Sequence, residues 1–314
     1  MTAAAVGRLV ALLCVSGALG AVAGPSAATP ALQIVRYTTV LNQGGVWSLT
    51  ARVVSATPRC SVTLRRPNGS TTTASVPVRA GVARWAIDFS PAAHPGSWQA
   101  RVTCGGAATT VSFAVRRAPL PVIVESFGFA QRPRLSDAGS SFGIGAVARN
   151  RSRFTAHRVT VVFDLLDAQG GVVVTSRRTV AAIPAGTTFF VGAAESTTTP
   201  EHAMRIRASV RVREWSRRRV RLPVVSNVRL VRGQFGTEVH GSVRNVTRST
   251  LSSRADVHAV LFDGAGTVIG GGSALLQTAV GPGARTAFRV VPGVEDTPFD
   301  RVASIRVSVE PDDT

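Results

Sequence analysis

Two stretches decide the fold of this chain: VTVVFDLLD at Val159–Asp167 and ADVHAVLFD at Ala255–Asp263. A glycine turn follows each stretch at the same distance. The similarity holds at an offset of 96 residues, which widens to 99 by Ile206 and Ile305. Self-similarity at a period of roughly 100 residues indicates tandem copies of a whole domain, because solenoid repeats are shorter. The pairs matched at 96 are Gly145 with Gly241, Val147 with Val243, Leu165 with Leu261, Asp167 with Asp263, Gly170 with Gly266 and Val172 with Val268.

Much of the remaining chain alternates apolar and polar residues, the pattern of strands with one buried face. In Trp47–Val53, for example, every odd-numbered residue is apolar and every even-numbered residue is polar. No ten-residue stretch has a sustained period of 3.6 residues, and the many Val, Thr and Gly residues disfavour helix. We therefore predict an all-β fold of three consecutive immunoglobulin-like β-sandwich domains, at residues 29–117, 118–215 and 216–314.

The two predicted boundaries have the same composition. An arginine-rich segment precedes Leu120-Pro121-Val122 at the first boundary and Leu222-Pro223-Val224 at the second. Proline restricts the residue before it to extended geometry. Both linkers are therefore expected to be short and stiff.

The first 28 residues have the parts of an export signal peptide. Arg8 supplies a positive charge, Leu9–Ala23 is an apolar run, and Ala21-Val22-Ala23 is a cleavage site, with a second at Ser26-Ala27-Ala28. The run is shorter than the ~20 residues of a membrane-spanning helix. No second run approaches that length. We expect a secreted or cell-envelope-associated protein whose mature chain has no transmembrane segment.

The composition indicates a bacterial origin. All 36 basic residues are arginine, and the bias toward Ala, Val, Gly and Arg is that of a GC-rich coding sequence. The net charge of +19 should attract polyanions and anionic membranes. Formal glycosylation sequons begin at Asn68, Asn150 and Asn245. In a bacterial chain we interpret them as turns.

Two cysteines remain once the signal peptide is removed, Cys60 and Cys104. An even pair in an exported chain predicts a disulfide. Closing a loop of this length contributes about 4 kcal/mol in the chain-entropy model. The spacing excludes a CxxC redox motif, and neither cysteine has a neighbouring histidine that would favour a metal site. We expect the pair to tie two strands of the first domain.

The repeated stretches resemble the F-x-L-x-D core of the FxLYD domain, an extracellular bacterial β-domain. Phe163–Asp167 has leucine in the place of the tyrosine, and Ala259–Asp263 has alanine in the place of the phenylalanine. The Gly-x-Val…Asn start, the Asp-x-x-Gly turn and the Pro-Gly before Phe288 are similar as well. The resemblance implies exported envelope or surface proteins without a defined catalytic activity, and it supplies no functional residues. In the first domain, Pro95–Cys104 resembles the aromatic-then-cysteine strand of Ig-like domains.

Catalytic patterns occur without the structural context that their chemistry needs. Gly139–Gly143 matches the G-x-S-x-G nucleophile elbow and Gly143–Ala148 matches G-x-G-x-x-A, but a strand is expected where each motif needs a helix. Asp164 and Asp167, with His157 near them, lie beside a turn, where aspartate usually binds local backbone. We predict no enzymatic activity, no catalytic residue, no metal site and no cofactor. The histidines, which show no metal-ligand spacing, are His94, His157, His202, His240 and His258.

The strongest candidate site is a cluster of arginines between residues 205 and 221, with Glu214 the only acid among them. Trp215 is the only aromatic residue there, so neither a single-strand stacking platform nor a specific nucleic-acid partner is expected. Pleating places alternate side chains on one face, spaced roughly 6.6 Å apart. The cluster comprises Arg205, Arg207, Arg211, Arg213, Arg217, Arg218, Arg219 and Arg221, and the apolar residues expected on the opposite face are Ile206, Ala208, Val210 and Val212.

Two interpretations of this cluster remain open. One is a solvated strand face and linker in an arginine-biased protein, and the other is a docking strip for an anionic envelope polymer or lipid headgroups. The third domain favours the second interpretation, because it builds the same strand without a row of arginines. Its matching outward positions are Ser304, Arg306, Ser308 and Glu310. We expect a non-enzymatic binding, structural or adhesive module of the cell envelope, whose partner is an envelope protein or an anionic polymer. The alternative is a polyanion-binding protein that uses the arginines.

Overall fold

The structure is a computed structural model that describes residues 31–54, 57–133, 139–233, 236–293 and 301–311. Within these ranges the chain forms twenty strands in six sheets. The sheets combine into three sandwiches, so the predicted all-β fold class is confirmed. The predicted signal peptide, residues 1–28, lies outside the described residues.

A membrane-spanning helix needs both length and sustained apolar character. None of the residues that the structure describes forms such a helix.

The first domain is a sandwich of eight strands. They are β1 (Leu32–Tyr37), β2 (Val40–Asn42), β3 (Val46–Val53), β4 (Arg59–Arg65), β5 (Thr71–Pro77), β6 (Val82–Asp88), β7 (Gly96–Cys104) and β8 (Ala107–Arg116). One sheet has the order β1-β3-β6 and the other β2-β8-β7-β4-β5. Between them, the alternating apolar residues predicted from the sequence form one core, in which the Trp47 and Phe113 ring centroids are 5.0 Å apart.

Cys60 and Cys104 form a disulfide in this domain. The two residues are directly opposite each other on β4 and β7, neighbouring strands of one sheet. The bond that characterises antibody domains joins the two sheets instead. The disulfide therefore fixes the register of one strand pair, and the resemblance to Ig-like domains is one of layered sheets and not of the cross-link.

The second and third domains are sandwiches of six strands each. In the second domain they are β9 (Val122–Pro133), β10 (Ser140–Asn150), β11 (Thr155–Leu166), β12 (Val172–Ile183), β13 (Thr188–Ser196) and β14 (Arg205–Ser216). In the third they are β15 (Val224–Gly233), β16 (Gly236–Arg244), β17 (Asp256–Phe262), β18 (Val268–Leu275), β19 (Arg285–Val290) and β20 (Ser304–Val309). The second domain has the sheets β13-β10-β9 and β12-β11-β14, and the third has β15-β16-β19 and β18-β17-β20.

The same strand order in both domains makes them two copies of one sandwich. Leu165 is opposite Ile206 in one copy, and Leu261 is opposite Ile305 in the other. Both leucines are fully buried in the cores of their own domains. β11 therefore corresponds to β17 at an offset of 96 residues, and β14 corresponds to β20 at 99.

A buried asparagine opens the same turn in each copy. The Asn150 side-chain amide donates to the carbonyl oxygens of Phe154 and Ile183, and its Oδ1 accepts from the Ser152 backbone N–H and hydroxyl. Asn245 makes the corresponding bonds with Ser249, Val280 and Thr247. Both asparagines are fully buried. These two sequons are thus turns in which the asparagine satisfies backbone groups that the strands leave unpaired.

These asparagines are 95 residues apart, and this corrects the alignment on their strands. Gly241 corresponds to Ala146 and not, as the sequence predicts, to Gly145. Gly241 faces its own core, where an added Cβ would lie 2.4 Å from Cζ of Phe288. Gly145 faces away from its core, toward the third domain. The predicted pairings of Gly145 with Gly241 and of Val147 with Val243 are therefore wrong by one residue, which reverses the face on which a strand residue lies: Val147 lies on the outer face and Val243 in the core.

The outer face of the β13-β10-β9 sheet packs against the outer face of the β18-β17-β20 sheet. Gly128, Gly145 and Gly192 form a row across the first of these sheets. An added Cβ on them would lie 1.8 Å from the Val268 carbonyl oxygen, 2.4 Å from that of Gly270 and 2.0 Å from that of Gly272, respectively. β18 therefore crosses the row in direct backbone contact, which no larger residue permits.

An apolar cluster beside the glycine row completes this contact between the domains. Val147 and Phe190 from the second domain pack with Val260, Phe262 and Val268 from the third. The Phe190 and Phe262 rings meet edge to face, with centroids 6.3 Å apart. These side chains are buried between the domains and not in either domain's own core. Their burial stabilises the contact through the hydrophobic effect.

Candidate polyanion-binding face

The candidate site lies on β14, an edge strand of the second domain. The strand alternates as the sequence predicts, with Ile206, Ala208, Val210 and Val212 against the core and the intervening residues exposed. A strand with one buried face requires small or apolar residues only at every second position. The fold therefore fixes the inward residues and leaves the chemistry of the outward positions free.

Five arginines share this outer surface, which we call the arginine face. Four of them come from β14, and the fifth comes from β12, where it is opposite Val162 of the central strand. Asp164, on β11, is opposite Arg207. The members of the arginine face are Arg177, Arg205, Arg207, Arg211 and Arg213.

Asp164 is the carboxylate that this face contains at its centre. The Arg207 guanidinium is 2.7 Å from Oδ2 of Asp164, and the Thr175 hydroxyl donates to Oδ1 at 2.9 Å. The Arg207 hydrogen bond lowers the pKa of Asp164 below its ordinary value; partial burial opposes this, while Thr175 and the charge of Arg177 add to it. Asp164 thus stays ionised and neutralises one guanidinium of the five.

The rest of the predicted arginine cluster is directed elsewhere. Arg217 and Arg153 both pair with the Asp88 carboxylate of the first domain, Arg153 at 2.9 Å. Arg218 offers its carbonyl oxygen to the Thr155 hydroxyl. The structure therefore divides the cluster into two parts. The arginines of the strand, between residues 205 and 213, belong to the arginine face. Those of the linker, between residues 217 and 221, do not, and Arg217 contacts Asp88 of the first domain.

The corresponding face of the third domain has a different composition. Ser273, Ser304 and Glu310 are at the positions of Arg177, Arg205 and Arg211, whereas Arg306 matches Arg207. This third-domain surface is the one that packs against the second domain. The same sheet is therefore covered in one copy, while in the other it carries arginines.

The rejected catalytic motifs lie inside regular strand. Ser141 and Gly143 to Ala148 are all within β10, with no strand-to-helix turn. A cleft of about 320 Å³ in the first domain has Asp88, Ser90 and His94 in its lining. Within the described part of the chain, no hydrogen bond links these three: the Ser90 hydroxyl accepts from the Ala92 N–H, and Asp88 pairs with arginines.

One group of side chains has the composition of a metal site, which the sequence spacing did not predict. Asp256, His258 and Glu310 bring their ligand atoms within 4.8 Å of one another. Asp256 and His258 are two residues apart on one strand, so they share a face. An Asp-x-His pattern on an alternating strand is the signal that reveals the first two residues, whereas Glu310 directly follows β20, the strand that pairs with β17.

Comparisons with known proteins give no family for this chain. No protein-family model matches it, and no curated protein matches it. The solved structures that it resembles include a biofilm-associated protein BSP domain, at 10% identity and a TM-score of 0.23 over 68% of this chain and 27% of the other. Salmonella alpha-2-macroglobulin mutant Y1175G has 11% identity and a TM-score of 0.26 over 91% and 23%. A two-domain fibronectin type-III segment of chicken tenascin has 12% identity and 0.22 over 59% and 98%. The chain spans about a quarter of the length of the first two proteins.

Proposed function

We propose that this protein is an exported, non-enzymatic component of a bacterial cell envelope, with its three β-sandwiches acting as a binding, structural or adhesive module. The observation that carries the proposal is the docking of the second and third domains through the glycine row. It makes the two copies one stiff unit, and a stiff unit holds its exposed faces at fixed positions.

Three further features support this proposal. The amino-terminal residues have the composition of an export signal. A disulfide is stable in the oxidising environment outside the cytoplasm. The FxLYD-like motifs resemble those of extracellular bacterial domains, with Leu166 and Ala259 in place of two motif residues.

Cell fractionation tests the location and the processing together. The full chain, with its own amino terminus and a carboxyl-terminal tag, is expressed in a GC-rich bacterial host. We expect a shortened protein outside the cytoplasmic membrane, accessible to protease on intact cells, with no free thiol after unfolding without reductant. Recovery of an unprocessed chain in the cytoplasm contradicts the proposal.

The second candidate function, polyanion binding, is favoured by the arginine face. Like charges beside each other in a sheet are destabilising, so the fold itself gains nothing from them. Domain docking cannot explain them either, since the corresponding face of the third domain docks with a different composition. Arginines are suited to phosphate groups because the guanidinium forms paired hydrogen bonds with them. The ligand class is therefore a phosphate-bearing envelope polymer or lipid headgroup.

The test uses two probes, soluble polyphosphate and vesicles that contain phosphatidylglycerol, so that polymer and lipid binding are distinguished. The first variant combines Arg205→Ser, Arg207→Ser, Arg211→Ser and Arg213→Ser. We expect it to bind at least about tenfold more weakly than wild type at low salt, because each arginine near an anionic surface contributes up to about 1 kcal/mol. Wild-type affinity should also fall steeply with added salt as counterions are released.

A matched control removes the same charge from another place. It combines Arg59→Ser, Arg65→Ser, Arg84→Ser and Arg101→Ser, which change four exposed arginines of the first domain. The control should bind nearly as well as wild type if the arginine face is the site. Equal weakening of both variants would assign binding to net charge alone, and equal binding by wild type and the first variant would make the face plain solvated surface.

A further inference from the structure

His258 is a buried histidine at the contact between the second and third domains. It lies on β17, and its side chain is 1% exposed. Its ring packs edge to face on Phe189 of the second domain, with centroids 5.8 Å apart. A buried imidazole has to have partners for both ring nitrogens, since an unpaired polar atom in this environment is costly.

The Nδ1 atom of His258 contacts the second domain. It is 3.0 Å from the carbonyl oxygen of Gly192 and 3.4 Å from the Gly192 backbone nitrogen. The shorter contact, to the carbonyl, favours a hydrogen on Nδ1. Metal-binding histidines characteristically donate one ring N–H to a backbone carbonyl in this way, which orients the ring and leaves Nε2 with a free lone pair.

The Nε2 atom of His258 faces the carboxylate of Glu310. Oε1 of Glu310 is 3.3 Å from it, and the Asp256 carboxylate completes the group within 4.8 Å. Glu310 donates its backbone N–H to the Asp256 carbonyl at 2.9 Å, so the two acidic residues are neighbours, Asp256 at the start of β17 and Glu310 directly after β20. Like charges in that relation repel. A lone pair beside carboxylates is a donor set that a metal cation can bind.

The separation of His258 and Glu310 is that of two ligands of one small divalent ion. Ligand atoms that each lie 2.0–2.2 Å from a tetrahedral zinc ion are roughly 3.3 Å from one another. The His258–Glu310 separation already has this value. An imidazole donor argues against calcium and magnesium, which take oxygen ligands. Asp256 and Glu310 are partly exposed, Glu310 with 13% of its side chain, so solvent can supply a fourth ligand.

The second domain shows that the fold does not require these residues. The positions equivalent to Asp256, His258 and Glu310 are Thr160, Val162 and Arg211. None of the three is a metal ligand of the required kind, and Arg211 reverses the charge of Glu310. The ligand set therefore occurs in the copy whose face is docked and is absent from the equivalent positions of the copy whose face carries arginines.

We propose that Asp256 and Glu310 oxygens and Nε2 of His258 form a zinc site at the edge of the contact between the second and third domains. Because the orienting hydrogen bond of His258 comes from the second domain, zinc binding strengthens the docking of the two domains. This inference is independent of the arginine face and of any anionic ligand.

Isothermal titration of the full, metal-free chain with zinc chloride tests the site, with thermal unfolding as a second readout. We expect one zinc ion per chain and a rise in the unfolding temperature, since a ligand that binds only the folded state stabilises it. Glu310→Gln and Asp256→Asn remove ligand charges at half-buried positions with little change of shape. Each should weaken zinc binding by at least about tenfold.

The control variant is Glu238→Gln. Glu238 pairs with His240 at 2.7 Å on the other sheet of the same domain, so it tests a histidine–carboxylate pair outside the proposed site. It should bind zinc as wild type does. Near-ultraviolet circular dichroism of each variant without zinc establishes that it is folded. Absence of zinc binding by wild type, or affinity unchanged in both ligand variants, overturns the proposal.

Discussion

The outer face of β11, β12 and β14 and the outer face of β17, β18 and β20 are the same surface of one fold, used in two ways. In the third domain this surface presents glycines and apolar side chains and lies against the second domain. In the second domain it presents five arginines around Asp164. The inward residues of the two sheets are alike, because both must fill a sandwich core. A tandem β-domain can therefore change what one of its faces contacts through outward positions alone.

The receiving surface differs between the copies as well. The second domain accepts β18 on a flat row of three glycines, whereas Gly241 in the third domain is turned inward beneath Phe288. A further copy therefore finds no equivalent glycine row on the third domain. The docking in this chain therefore depends on the glycine row of the second domain, and the third domain does not repeat it.

The largest expected effect comes from the positions that the two copies share. Leu165→Ala and Leu261→Ala each remove a fully buried core side chain, so each should destabilise its own domain by ~2–5 kcal/mol. Chemical denaturation, followed by hydrogen exchange to assign the affected domain, measures this. If one substitution leaves the stability of its domain unchanged, the two leucines are not in equivalent core positions.

A smaller effect is expected from the docked face alone. Gly192→Ala would place a Cβ 2.0 Å from the Gly272 carbonyl oxygen, and overpacking of this kind costs typically ~1–3 kcal/mol. We expect the domains to separate while each core stays folded, seen as a larger radius of gyration in X-ray scattering. Gly264→Ala is the control, because no atom lies within 4 Å of its added Cβ. A compact Gly192→Ala variant would contradict the assigned contact.

Much of the fold follows from local pattern. Alternation predicts the strands, and the repeat predicts Leu165 and Leu261, because a strand with one wet face must alternate. The one-residue error at Gly145 arises because the copies place a glycine on opposite faces of the equivalent strand. Gly241 lies inward beneath Phe288, whereas the inward position of the second domain is Ala146, opposite Val191. Aligning the sequences on their identical glycines gives an offset of 96 residues on this strand. The buried asparagines, Asn150 and Asn245, give the offset of 95 that the structure shows.

The contact face that contains the glycine row could not be predicted from the sequence. Gly128, Gly145 and Gly192 meet only because three strands pair in one register, and each is unremarkable in its own strand. The arginine cluster could be predicted because its members lie close together in sequence, between residues 205 and 221. Its division between a strand face and the Asp88 pairs depends on tertiary contact. In the same way, Glu310 joins His258 only through the pairing of β20 with β17.

The smallest effect is expected at the one acid of the arginine face. Arg207 lowers the pKa of Asp164, so the pair contributes stability above the ordinary aspartate pKa of about 3.9 and loses it as the pH falls through the lowered value. Because Arg207 is largely exposed, the contribution should stay below about 1 kcal/mol. A double-mutant cycle of Asp164→Asn and Arg207→Gln at pH 7 and near pH 3 measures it. A coupling energy that grows on acidification would contradict the assignment.

The same face is covered in the third domain and exposed in the second, and thiol labelling at two equivalent positions distinguishes the two states. Asp164 and Val260 occupy the same place in the two copies, and Val260 is fully buried. Single variants Asp164→Cys and Val260→Cys are treated with a thiol reagent under native conditions, the native disulfide being unreactive. We predict rapid labelling at position 164 and labelling at position 260 only as fast as the domains separate. Equal, rapid labelling at both positions would contradict the account.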